Sequence, residues 1–235
     1  MPEFEYVTPE EAQPVMDEII ALIQDMQKCV RKDFKKDFTL KYRFVYGSSR
    51  NMITREKDGH NGFEFDVNLI PNFHEDEYSD EKMAKILFNA IEVCLRLSGV
   101  KSMKKYGELI IDNSDDRIDV FTIKIIDKAD SNIVHSCDFA ITRTLCKGGK
   151  QIKQCICNDK KCFGYRWEDR LDFDIDIEER LQLIEYYDSI TEIDLSAELR
   201  DSYLKNKNQN QILTKKSRKI FVETVNNMIY KYNMW

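Results

Sequence analysis

The run Phe63-Glu64-Phe65-Asp66-Val67-Asn68-Leu69-Ile70 alternates apolar and polar residues. That period of two is the pattern of a β-strand, whose successive side chains face opposite sides. Phe63, Phe65, Val67 and Leu69 then share one face, where they can be buried. Glu64 and Asp66 project together from the other. A strand with a buried apolar face and two acids on its open face is the constraint around which the rest of the chain has to be arranged.

Further elements follow from composition and spacing. Thr8-Pro9-Glu10-Glu11 has the hydroxyl cap, the N1 proline and the N3 glutamate of a helix start. Pro14 is an alternative start. Val15, Ile19, Leu22, Ile23, Met26 and Val30 continue at helical spacing to about Phe34. Leu40 to Tyr46 reads as a strand broken by Gly47-Ser48-Ser49, and Arg55 to Gly62 as a loop. Ser79 caps a helix running to about Leu97, with Gly99 as its stop. Asp119 to Ile126 and Ile133 to Arg143 are two strands of a hairpin, and Lys147-Gly148-Gly149-Lys150 is a further hairpin turn. From about Ile177 three helical segments follow, near 177–189, 195–206 and 217–233. The expected fold is therefore α+β: a mixed or antiparallel sheet flanked by helices, with a C-terminal helical bundle. Residues 1–175 would form the core domain and 176–235 a helical region packed on it.

The 235 residues suffice for a well-buried core, and 42% hydrophobic with 33% charged residues is ordinary for a globular protein. With only 8 glycines and 4 prolines, long disordered linkers are not expected. The net charge of −6 disfavours extended duplex nucleic acid as a partner, though it leaves room for a local basic pocket. The first residues are acidic and lack the apolar core of a secretion signal, and no apolar run has the length of a membrane span. Together with seven cysteines, an odd number, this predicts reduced thiols, a cytoplasmic setting and no membrane association.

Two carboxylates held a few ångströms apart repel each other unless a cation lies between them. Hard cations such as Mg²⁺ prefer such oxygens and complete their shell with water and substrate phosphates. A third carboxylate on a neighbouring strand would let two metals bind and promote in-line attack at a phosphoryl group. Asp138, in the apolar strand-like run Ile133-Val-His-Ser-Cys-Asp-Phe-Ala-Ile141, is a candidate, because an unpaired charge there would be costly. Asp119 is its rival, at a strand edge beside the solvated Asp115, Asp116 and Arg117. Upstream, the strand ending at Tyr46 runs into Gly47-Ser48-Ser49 and a short helix. Glycine permits close backbone approach to a phosphate, and the Ser48 hydroxyl and free amides of the turn can donate to phosphate oxygens. The alternative to a metal site is a sheet with a polar face on which Glu64 and Asp66 are simply solvated.

Gly-Ser, then Glu-x-Asp within an alternating strand, then a lone strand Asp, resembles the signature of the polymerase-β-like nucleotidyltransferases. The stretch Tyr46 to Ile70 is most similar to the branch containing cyclic GMP–AMP synthase, the Mab-21 proteins and bacterial cyclic-oligonucleotide synthases. The hairpin from Asp119 to Thr142 is similar to that branch's third-acid hairpin and favours Asp138 over Asp119. The resemblance covers about residues 40–145. It implies a palm-like sheet and transfer of a nucleoside monophosphate from an NTP, ATP among them, to a hydroxyl, with release of pyrophosphate. Glu64, Asp66 and Asp138 would be the catalytic residues and the ligands of two Mg²⁺ or Mn²⁺ ions, with Asp138 nearest the attacking hydroxyl. Gly47, Ser48 and Ser49, with Lys205 from the C-terminal lysines, would bind the nucleotide. The Ser48-to-Glu64 interval is somewhat long for the branch, and the chain is short for a full cyclic-oligonucleotide synthase.

Other features carry weaker expectations. Asp172, Asp174 and Asp176 alternate and read as a solvated strand edge ending in a helix cap. Cys146, Cys155, Cys157 and Cys162 lack paired Cys-x₂-Cys knuckles and read as ordinary thiols rather than a zinc site. Lys205, Lys207, Lys215, Lys216, Arg218 and Lys219 concentrate positive charge, of which one or two can face the cleft. Tyr165, Trp167, Tyr186 and Tyr187 read as core aromatics before a base-stacking platform. The acceptor, whether nucleotide, RNA end, small molecule or protein, is not specified by the sequence. A catalytically inert nucleotide- or protein-binding module is the competing function.

Overall fold

Local chemistry starts the first helix where the sequence places it. In the computed structural model, Thr8 caps α1 (Pro9–Asp33) through a complete capping box with Glu11, and Pro14 lies inside the helix. The structure describes residues 3–57, 61–72, 80–97, 107–112, 120–127, 129–147, 150–155, 167–210 and 217–234. Its other elements are β1 (Phe4–Tyr6), β2 (Leu40–Phe44), a 3₁₀ turn (Tyr46–Ser49), β3 (Thr54–Glu56), β4 (Asn61–Pro71), α2 (Asp80–Leu97), β5 (Gly107–Asp112), β6 (Val120–Asp127), β7 (Ile133–Lys147), β8 (Lys150–Cys155), α3 (Trp167–Ile190), α4 (Leu195–Gln209) and α5 (Ser217–Lys231).

Six strands form one mixed sheet in the order β2-β4-β7-β6-β5, with β8 pairing the far end of β7. β4 and β7 run parallel, and the other pairs are antiparallel. The β6–β7 hairpin and the β7–β8 hairpin, closed at Lys147 and Lys150, stand as the sequence suggests. A second, two-stranded sheet pairs β1 with β3. These three-residue strands and β5 have too little alternation to be legible beforehand, and β3 falls where a loop is expected.

The apolar face of the main sheet is covered by α1 and α2. Phe65, Val67 and Leu69 of β4, Phe121 and Ile123 of β6 and Phe139 and Ile141 of β7 are buried there with Ile23, Met26, Leu87 and Ile91. A second buried cluster joins α3, α4 and α5 through Ile184, Leu199, Tyr203, Phe221 and Val225, and it includes Met52 from just after the 3₁₀ turn.

One expectation is corrected. The Asp172–Asp176 stretch is not a strand edge: α3 already begins at Trp167 and runs through it, across the expected domain boundary at residue 175. Phe173, Ile177, Leu181 and Ile184 recur at helical spacing through the same residues that alternate as Asp-x-Asp-x-Asp. Burial of Ile177, Leu181 and Ile184 in the second cluster selects the helical period. Asp119, Ser79, Gly99, Tyr165, Cys157, Cys162, Lys215 and Lys216 lie outside the described residues.

Phe139 is fully buried and stacks on Phe121, ring centroids 5.1 Å apart. Phe139→Ala leaves a cavity between sheet and helices and is expected to lower unfolding free energy by about 3–5 kcal/mol, read from the urea midpoint.

Candidate functional site

The parallel pairing of β4 with β7 sets Asp66 directly opposite Asp138 and Glu64 opposite Ser136. Neighbouring strands lie about 4.8 Å apart, and alternation sends all three carboxylates to the face away from α1 and α2. Glu64 is within hydrogen-bonding reach of Asp138, and burial, then the charges of Asp138 and Asp66, push its carboxyl up to about 7. The Glu64 side chain keeps an open side to solvent at the cleft, but protein and like charge surround its base. On the other flank of Asp138, Thr122 of β6 donates its hydroxyl to Oδ1.

The Gly-Ser turn abuts the same row. Val45 and Asp66 are tied backbone to backbone (3.0 Å). The Ser48 hydroxyl, buried at 3% exposure, accepts from the Asp66 amide at 2.9 Å. A hydroxyl that accepts in this way keeps its own hydrogen to donate. Tyr46 and Asn51 adopt φ of 53°, the left-handed region that is unusual for residues other than glycine, on either side of the turn. Gly47 is required by the chain itself: a Cβ there would stand 2.8 Å from the Met52 carbonyl oxygen. The amides of Ser48 and Arg50 donate to Val45 and Gly47 carbonyls within the turn, so they are not available as the free phosphate donors expected. Ser49 is exposed and its hydroxyl bonds the Tyr46 carbonyl at 2.9 Å.

A pocket of about 300 Å³ opens at the Glu64 and Asp66 end of this row, and Asp138 is not among its lining residues. Gly47, Ser48, Glu64 and Asp66 line one side and Tyr203, Lys207, Ser217 and Phe221 the other, with Phe4 and Thr54 of the small sheet at its end. Among the described residues Lys207 is a cation that interacts with Glu64 and Asp66, and Arg55 also lines the pocket. Lys205, singled out from the sequence, is exposed and does not line the pocket. Lys207 Nζ donates to the Thr54 hydroxyl and lies 4.6 Å from the centroid of Phe4. Burial pulls its pKa down to about 8 against the opposing pull of Glu64 and Asp66. The signal that identifies it is spacing: Leu195, Leu199 and Tyr203 are buried on one face of α4, and Lys207 continues that stripe at i+4. Lys205 sits about 200° around the helix from Lys207.

The aromatic and cysteine candidates are dispersed, and the β7 histidine also lies away from the acids. His135 lies on the opposite face of β7 from Asp138, buried toward α1, and burial lowers its pKa to about 4. Tyr186 is exposed and Tyr187 packs against the second cluster, so neither forms a platform in the pocket; its aromatic lining is Phe4, Tyr46, Tyr203 and Phe221. Cys146 and Cys155 sit at different registers of the β7–β8 pair.

The donor set suits a hard divalent cation. Among the described residues no three His, Cys, Asp or Glu side chains converge as a ready-made metal cage. The acids form an open row instead, and a Mg²⁺-type ion that keeps water and phosphate oxygens in its shell requires only one or two carboxylates.

No family model matches the sequence, and no curated protein does. The fold does match solved structures. Over 95% of this chain and 68% of the other, the Vibrio cholerae DncV cyclic AMP-GMP synthase in complex with a linear intermediate superposes with a TM-score of 0.58 at 9% identity. A single-residue variant of the V. cholerae di-nucleotide cyclase, with ATP, GTP and 5MTHFGLU2, gives 0.55 at 9% identity over 95% of this chain and 69% of that one. The same cyclase with GTP and 5MTHFGLU2 gives 0.50 at 12% identity, over 90% of this chain and 52% of that one. The chain thus has the fold of these cyclases and spans 52–69% of their length. Among the described residues no helix is long and apolar enough to cross a membrane.

The raised Glu64 pKa has a pH signature. Because the folded state holds the proton more tightly than the unfolded one, Glu64 contributes stability that is present below about 4.5 and lost as pH rises through about 7. His135 has the opposite slope, with stability lost as pH falls from 6.5 toward about 4, but it does so equally in any Glu64 variant. Glu64→Gln is therefore expected to gain stability relative to the unmodified chain between pH 5 and pH 8. Solvent at the open cleft limits the gain to about 1 kcal/mol. Denaturant titrations at the two pH values check it.

Proposed function

We propose that this protein is a divalent-metal-dependent nucleotidyltransferase that transfers a nucleoside monophosphate from an NTP to a hydroxyl acceptor and releases pyrophosphate. The observation that supports the reading is the register that sets Asp66 opposite Asp138 with Glu64 on the same sheet face, while the Gly47-Ser48 turn, Glu64, Asp66 and Lys207 line one pocket. A solvated sheet face would have no reason to place a buried serine and a half-buried lysine around its acids. The fold shared with cyclases solved with GTP and with ATP and GTP supports an NTP as the bound substrate.

In this mechanism the Ser48 hydroxyl, fixed by the Asp66 amide, donates to a phosphate oxygen, and Lys207 replaces Lys205 as the cation for the β- and γ-phosphates. Glu64, Asp66 and Asp138 would hold two Mg²⁺ or Mn²⁺ ions, which when bound polarise the phosphoryl group and offset its developing charge. Asp138, whose Oδ1 accepts from the Thr122 hydroxyl, would receive the proton of the attacking hydroxyl. Tyr203 and Phe221 exclude water from the inner wall. The pocket volume of about 300 Å³ and the acidic net charge favour a small acceptor over extended duplex nucleic acid.

Incubation with each labelled NTP and Mg²⁺ or Mn²⁺, with products resolved by mass, tests the reading. The expected result is pyrophosphate release with an adduct heavier by one nucleoside monophosphate, reduced roughly 10²–10⁴-fold by Asp138→Asn at unchanged fold. NTP-dependent thermal stabilisation without any adduct, equal in the variant, would instead indicate the inert binding module.

A further inference from the structure

Two thiols that the pocket does not use meet behind the sheet. Cys29 lies in the last turns of α1 and Cys94 in those of α2, and their sulfurs are 3.2 Å apart. Even smaller carbon atoms pack at about 3.5–4.0 Å, so the sulfurs share a hydrogen bond. A disulfide bond of about 2.05 Å is little more than 1 Å away. Cys94 is buried at 2% exposure, whereas Cys29 is partly exposed, so a reagent in solution meets Cys29 first. The Lys28 ammonium lies within electrostatic range of both sulfurs.

We propose that Cys29 and Cys94 form a reversible disulfide that fastens α1 to α2 behind the acid-bearing strands, with a low-molecular-weight disulfide as oxidant. The Cys29 thiolate attacks one sulfur of the oxidant and expels one thiolate, giving a mixed disulfide. Cys94 then loses its proton and attacks the Cys29 sulfur, expelling the second thiolate. Two protein thiols are oxidised, one oxidant disulfide is reduced to two thiols, and the two protons pass to the released thiolates. Burial and the neighbouring Cys29 hold the Cys94 thiol protonated up to about 12. The pair is 65 residues apart in sequence, and the loop it closes contains the Gly47-Ser48 turn, Glu64 and Asp66. The crosslink therefore restrains in the unfolded state the segment that carries most of the pocket.

The test incubates the full chain with oxidised glutathione, blocks remaining thiols, digests without reduction and maps the peptides by mass. The expected product joins the Cys29 and Cys94 peptides with loss of two hydrogens. Tm rises by roughly 8 °C, reductant reverses both changes, and Cys29→Ser, a substitution at the partly exposed member, shows neither. Recovery of Cys29 as a persistent glutathione mixed disulfide with Cys94 still alkylatable would overturn the proposal. So would two unreacted thiols, or the same Tm rise in Cys29→Ser. None of these readouts depends on nucleotide transfer.

Discussion

Everything at the pocket hangs on the parallel pairing of β4 with β7. Alternation along β4 can bring only Glu64 and Asp66 to one face; it cannot supply a third carboxylate. The register that opposes Phe65 to Cys137 and Val67 to Phe139 also opposes Asp66 to Asp138. A slip of one residue would turn Asp138 into the layer under α1 and α2 and expose Phe139. Packing of Phe65, Val67, Phe139 and Ile141 against the two helices thus fixes the register, and the register assembles the acids. The apolar face enforces the polar one.

The acids repel each other, and the surrounding structure tolerates this through local compensation. Glu64 takes up a hydrogen bond with Asp138 and a raised pKa, Asp138 accepts from Thr122, and Lys207 places a positive charge across the pocket. The N-terminal strand belongs to the same assembly. Phe4 exchanges both backbone hydrogen bonds with the Asn208 side chain (2.6 and 3.2 Å), and its ring receives the Lys207 ammonium. Tyr6 donates to the Arg200 carbonyl, and the Arg200 guanidinium lies over its ring and bonds the Asn51 carbonyl at 2.6 Å. A segment far from the acids in sequence therefore sets the position of the pocket's cation.

Elements with a long or chemically marked pattern were legible in the sequence. The capping box at Thr8, the alternation of Phe63–Ile70 and the apolar run around Asp138 specify α1, β4 and β7, because each is imposed by local sterics or by burial on one face. What was not legible depends on partners distant in the chain. The strands β1 and β3 have three residues each and exist through each other. The lysine at the pocket could be read only with the face of α4 known, since Lys205 and Lys207 are chemically alike and differ only in rotation about the helix. The Ser48 and Arg50 amides close on carbonyls of the same turn, which the dipeptide alone does not reveal. The Asp172–Asp176 stretch fits two periods, and only burial of its flanking Ile177 and Leu181 decides between them.

The central claim is that Glu64, Asp66 and Asp138 act together as ligands of divalent cations in the presence of a nucleotide. Its most direct test is Mn²⁺ binding followed by electron paramagnetic resonance on the full chain, with and without a non-hydrolysable NTP. The account predicts two bound ions per chain when the nucleotide is present. It also predicts loss of at least one of them in Asp66→Asn, the acid at the centre of the β4–β7 register. Equal Mn²⁺ retention by the unmodified chain and Asp66→Asn, with the nucleotide bound in both, would contradict it.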